Sequence, residues 1–208
     1  MIKRIKLLFL VSILFPFVVN AQHDVNINAI GLFFQNYGLG YEYVINEGGG
    51  AGIDFNYATS KIYNPSKENN SYSSFSISPN YKFYFSPDYG ADGYYFEAYL
   101  KYKTTTDGLV YSENTGSGYE THAYDLKSSG LGLGIALGKK RITNSGSYMI
   151  TLFGIGRFVT QNFSFSDADV EAMVKKNNPN YKDVLSKEFL YTWDFRVHLG
   201  VGWRFGGY

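Results

Sequence analysis

From Tyr191 to Phe205 every second residue is large and apolar: Tyr191, Trp193, Phe195, Val197, Leu199, Val201, Trp203 and Phe205. Between them lie Thr192, Asp194, Arg196, His198, Gly200, Gly202 and Arg204. A period of two puts alternate side chains on opposite faces of a β-strand. The run is far longer than the ~5–6 residues of an ordinary strand, and one face is wholly aromatic or aliphatic while the other carries charge. A strand with one oily and one wet face, long enough to cross a bilayer when tilted, is what a transmembrane β-barrel requires. Trp193 and Trp203 share the oily face. At ~3.3 Å per residue they are roughly 33 Å apart along the strand. A ~40° tilt reduces this to roughly 25 Å along the membrane normal, the height of a barrel's apolar band. Tryptophan prefers both water–lipid interfaces. The competing reading is a pair of core tryptophans in a soluble sandwich.

The start of the chain reads as an export leader. Lys3, Arg4 and Lys6 precede an apolar stretch from Leu7 to Val19, and Val19-Asn20-Ala21 supplies small residues for cleavage before Gln22. This divides the chain into a leader, 1–21, and a barrel domain, 22–208; an uncleaved anchor is the rival reading. After the leader no apolar run reaches the ~20 residues of a membrane helix. Of 19 basic residues three lie in the leader, which leaves the rest close to balance with 18 acidic ones. A near-neutral chain gives no bulk-charge argument for binding nucleic acid. There is no cysteine, so disulfides and thiolate-bound metals are excluded.

Eight strands are predicted, at Val25–Gln35, Gly38–Asn46, Ala51–Ser60, Ser73–Ser86, Gly93–Thr105, Ala123–Lys139, Tyr148–Gln161 and Tyr191–Phe205. The first and seventh have no clear facing. Pro79 lacks an N–H, so a bulge or weak pairing is expected there. The connections at Glu47–Gly50, Pro87–Asp92 and Lys140–Ser147 are short, and those at Lys61–Tyr72, Thr106–His122 and Asn162–Glu188 are long. Short turns on one side and long loops on the other are the asymmetry of an outer-membrane barrel. The fold class expected is all-β: an eight-stranded antiparallel up-and-down barrel with a helix in the last outer loop. Ser166 is the predicted N-cap of that helix, and Pro179 should stop or restart it.

Alternation turns Glu42, Asp54, Lys82, Glu97, Lys101, Lys103, Asp194, Arg196, His198 and Arg204 inward. Eight strands enclose a lumen that side chains can fill, so these charges should pair into a polar plug. A narrow gated pore is the alternative. His198 and Asp194 sit ~13 Å apart on one strand, so a lipid-modifying enzyme would need partners from other strands. No catalytic residue, metal or cofactor is assigned. The glycines of Gly130–Gly138 are read as close packing, because the Lys-Ser/Thr of a phosphate loop is missing. Leu133 is placed on the lipid face near the midplane, with Leu133→Arg blocking folding and Gly134→Ser milder.

The Val19-Asn20-Ala21-Gln22 junction, Leu39-Gly40-Tyr41-Glu42-Tyr43 and the closing Trp203-Arg204-Phe205 resemble the small outer-membrane β-barrels of Gram-negative bacteria, with OmpA/OmpX-like architecture. The resemblance implies a monomer in outer-membrane lipid, delivered by the barrel-assembly machinery, which reads a terminal aromatic, Phe205 or Tyr208. Trp193, Trp203, Phe205 and Tyr208 are then the interfacial aromatics. The resemblance implies no activity. A structural or surface-interaction role is expected, with an extracellular partner engaged through loop 162–188.

Overall fold

The computed structural model describes residues 22–59, 71–85, 87–88, 90–114, 119–177 and 179–206. The leader at 1–21, most of the Lys61–Tyr72 connection and Tyr208 lie outside the described residues. The strands are β1 (Gln22–Asn28), β2 (Asn36–Asn46), β3 (Gly49–Ala58), β4 (Tyr72–Phe85), β5 (Gly93–Asn114), β6 (Tyr119–Ile142), β7 (Ser147–Phe165) and β8 (Trp193–Phe205). Each pairs antiparallel with the next, and β8 closes on β1, with Phe205 opposite His23 and Gly200 opposite Asn28. The helices are α1 (Ala29–Phe33), α2 (Ala168–Asn177), α3 (Tyr181–Lys187) and α4 (Phe189–Thr192).

Alternation turns the oily face outward. Trp193, Phe195, Val197, Leu199, Trp203 and Phe205 are exposed, whereas Asp194 and Arg204 are buried. A soluble barrel needs the reverse arrangement. Two girdles flank the apolar wall. Tyr37, Tyr57 and Phe75 stand in register across β2, β3 and β4 at the loop end; Phe83 with Phe96 and Phe85 with Tyr94 do so at the short-turn end. Two outward cations sit over girdle rings: Lys139 Nζ lies 4.4 Å from the Tyr94 ring centre, and the Arg157 guanidinium lies 6.0 Å from that of Trp193. Such side chains carry their charge to the interface along an apolar stem.

The first predicted strand is too long. β1 stops at Asn28, whose side chain accepts a hydrogen bond from the Gly31 backbone and caps α1 (3.2 Å). The residues apolar on both faces, Ile30 to Phe34, are therefore mostly helix. A Cβ on Gly31 would collide with the Asn36 carbonyl, so glycine is what lets α1 lie against β2. The predicted Thr106–His122 loop is instead mostly strand: β5 and β6 pair as far as Asn114–Tyr119. With 22 and 24 residues where ~9–11 cross a bilayer, this hairpin extends well beyond the membrane. β6 also continues through Lys140 to Ile142, shortening that turn. Of the two outcomes expected at Pro79, the structure has the weak pairing and not the bulge: the β4–β5 register is the same on both sides of it, and the pairing lapses between Ile77 and Asn80. Asp167, not Ser166, caps α2, accepting from the Asp169 backbone at 2.8 Å. Ser166 instead ties β7 to β6 by accepting from the Asp125 backbone (2.9 Å). Pro179 falls between α2 and α3, as expected.

Candidate functional site

Among the described residues the lumen charges form two ionic clusters. Glu42 on β2 is the hub of the one nearer the short turns. It accepts from Lys82 Nζ (2.8 Å), Lys140 Nζ (3.0 Å) and the Tyr84 hydroxyl (2.8 Å). Asp24 on β1 accepts from Lys140 Nζ (2.7 Å) and from Arg204 Nε and Nη2 (2.7 and 2.8 Å). These side chains are essentially removed from water. Aromatic rings pack the gaps, with Lys140 Nζ 4.8 Å from the centre of Tyr84 and 5.4 Å from that of Tyr148. Below the cluster the β4–β5 turn folds under the barrel. Arg204 donates to the carbonyls of Gly90 (2.5 Å) and Ala91 (3.2 Å), and Ala91, fully buried, holds a φ of 45°. A non-glycine residue keeps that conformation only where its surroundings fix it; the Arg204 bonds and one from the Ala91 N–H to Glu47 (2.8 Å) do so.

The second cluster lies nearer the loops. Arg196 donates to Glu97 (2.6 Å) and Asp54 (2.8 Å), and Asn80 also donates to Asp54 (2.9 Å). Asp194 accepts from Lys101 (2.7 Å) and the Tyr99 hydroxyl (2.9 Å). Burying charge is costly unless it is paired and hydrogen-bonded; every charge named in the two clusters has a partner of opposite sign, and among the described residues only the Glu97 Oε2, of the atoms of these charged groups, is buried without a hydrogen bond. The glycine run is the floor beneath them. A Cβ on Gly134 would strike the Tyr99 ring and come within 2.7 Å of the Gly156 Cα. Gly134→Ser, expected from sequence to be milder than Leu133→Arg, therefore carries a steric cost of its own.

The nine network residues of the sequence reading, Glu42, Asp54, Lys82, Glu97, Lys101, Asp194, Arg196, His198 and Arg204, all take part in the lumen, and two further members were missed. Asp24 was missed because the predicted first strand began at Val25, whereas β1 begins at Gln22; its alternation with Asn26 and Asn28 was a usable signal. Lys140 was assigned to a turn, although Gly138, Lys140 and Ile142 continue the inner face of β6. His198 stands apart from the pairs. Among the described residues its buried Nε2 has no hydrogen-bond partner, and both oxygens of Asp194 are engaged by Lys101 and Tyr99. His23 lies near the β1 terminus against Tyr41, 2.7 Å from its hydroxyl. His122 is on β6. Among the described residues no group of His, Asp and Glu is arranged to hold a metal.

Above the outer cluster the lumen opens into a cavity of about 430 Å3. Phe189 and Tyr191 from the α4 segment line its upper part. The helices above are tied down by contacts of Phe163 with Tyr191 and Phe165 with Tyr181, ring centres 5.3 and 5.5 Å apart, and by a hydrogen bond from Tyr181 to Glu171 (2.7 Å). Burial and that carboxylate push the Tyr181 phenol up to about 12, so it remains a donor at neutral pH.

The barrel superposes on a major outer membrane protein from Thermus thermophilus with a TM-score of 0.58 and 16% identity, over 89% of this chain and 99% of that one. The fold is that of a small outer-membrane β-barrel. Acinetobacter baumannii CarO and CarO2 resemble it less, with TM-scores of 0.45 and 0.41 at 14% and 10% identity, over 90% of this chain and 98% and 99% of theirs. No protein-family model and no curated protein matches the sequence.

Proposed function

We propose that the chain is a non-conducting outer-membrane barrel, sealed in its short-turn half and presenting a cavity and a helical surface at its outer end. The buried cluster of Asp24, Glu42, Lys82, Lys140 and Arg204 supports the seal most strongly, because it spans β1, β2, β4, β6 and β8 with its side chains shut off from water. The apolar exterior bounded by aromatic girdles supports the membrane location. The seal is tested by ion flux from liposomes carrying the folded protein. Flux at the lipid baseline is expected, and a steady excess overturns the reading.

The surface-interaction part is assigned to the segment from Asp167 to Lys187, the α2–α3 region. It carries charges that a barrel does not need for folding, and long connections with their own secondary structure are commonly functional. Replacing it with a short Gly/Ser linker should leave a heat-modifiable barrel on a gel and abolish surface binding by intact cells. Loss of heat-modifiability would make the segment a structural lid instead.

A further inference from the structure

The barrel wall has a notch. β8 pairs with β7 along its whole length, from Trp203 to Trp193. On its other edge it pairs with β1 only from Phe205 to Gly200, because β1 ends at Asn28. Asn36, Tyr37 and Gly38 of β2 likewise have no partner on β1. The strand ladder is therefore interrupted between β8 and β2, and α1, in contact with both, stands in the part of the gap next to the end of β1. Gly200 is seven residues short of Trp193, the outer interfacial marker. That is roughly 23 Å along the strand, or roughly 18 Å along the membrane normal at a ~40° tilt, more than half of the ~25 Å apolar band. Irregular backbone and open strand edges persist at membrane depth only where they meet protein or line a cavity.

The cavity described above lies behind this notch and reaches through it. Its lining includes the outward-facing Leu39, Phe55 and Val197 as well as the inward-facing Lys103 and His198. It thus joins the lumen to the lipid side through the wall. The acids at its floor are already engaged, Asp54 by Arg196 and Asp194 by Lys101. Lys103 is different: among the described residues its ammonium makes no ion pair or hydrogen bond. A half-buried cation inside and an apolar gap opening sideways are complementary to one class of molecule.

We infer that the notch is a lateral portal for an amphiphile with an anionic head and an apolar chain, the head lodged at Lys103 and the chain leaving between β8 and β2 into the outer leaflet. This rests on the barrel being membrane-embedded and sealed below. The volume is within the range of small-molecule sites, ~300–1,000 Å3. The phosphate of a bilayer lipid and the carboxylate of a free fatty acid share the chemistry.

The test uses the folded full-length barrel in zwitterionic nanodiscs with two tail-diazirine probes, a long-chain fatty acid and a phosphatidic acid; the alcohol of the same chain length is the neutral control. Labelling mapped by peptide mass spectrometry is expected on Leu39, Phe55 and Val197, for at least one anionic probe, and whichever probe labels identifies the source. It should be competed by unlabelled fatty acid or phosphatidic acid and weakened about tenfold by Lys103→Gln, the loss of one charge-assisted contact. Lys103→Arg should restore it. Heat-modifiability of each variant establishes that it is folded. Labelling spread evenly around the wall, including Leu137 and Phe153, or equal labelling by the alcohol, overturns the portal. Ion flux in the same preparations reports the seal separately, so a folded, silent barrel without localised labelling removes the portal alone.

Discussion

Glu42→Leu is expected to destabilise the folded barrel by ~3–5 kcal/mol, the cost of removing one partner from a buried ionic group. Glu42 is the carboxylate shared by Lys82 and Lys140 and the acceptor for the Tyr84 hydroxyl. Leucine removes all three bonds. Lys140 retains Asp24, but Lys82 keeps no carboxylate within ion-pair distance among the described residues, and its charge remains inside the wall. The double variant Glu42→Leu, Lys82→Met should recover a large part of the loss, because it removes the stranded charge together with its partner. Urea titration of protein folded into lipid vesicles gives both numbers. If the single and double variants are equally unstable, the penalty is one of packing rather than of unpaired charge.

Ile135→Arg is expected to cost ~2–4 kcal/mol of folding into bilayers, the range for arginine on the lipid face at the midplane. The position differs from the one suggested by sequence. Leu133 does face lipid, but it pairs with Arg157, which already brings a cation to the outer girdle beside Trp193. A second arginine at Leu133 could carry its charge to the same interface and would be better tolerated. Ile135 pairs with Ala98 on β5 and Ile155 on β7, and Ile155 pairs with Phe195, so an arginine there is surrounded by apolar wall. The assay is the yield and urea midpoint of folding into vesicles for both variants. The assignment predicts a larger defect at Ile135; a larger defect at Leu133 would place the midplane one step nearer the loops.

Alternation was legible wherever lipid and lumen enforce it. The facing of β8, of the β4 and β5 cores and of Leu131 to Leu137 follows from sequence because a one-residue slip would put charge into lipid. Beyond the membrane that constraint ends. Thr104 to Gly108 need not alternate in hydrophobicity, and the long β5–β6 hairpin therefore looked like a loop. α1 was obscured for another reason: Ile30 to Phe34 is apolar on both faces, a pattern shared by a buried strand and by a short helix lying against lipid. In the lumen, most of the charges that point inward were readable, Asp24 and Lys140 excepted, but their pairing was not. Asp24 meets Arg204 only because β1 closes on β8, and Glu42 meets Lys140 across the barrel. Both contacts depend on closure and stagger, which no local spacing encodes. The notch beside β8 was hidden with them, since it exists only because one strand ends seven residues below its neighbour.

The central claim is that paired side chains close the lumen. Planar-bilayer recording of the unmutated, heat-modifiable protein tests it most directly. The account predicts traces that remain at the lipid baseline across both polarities of applied voltage. A steady, large conductance that appears with each insertion would contradict it and show that the Glu42 and Arg196 clusters line a pore.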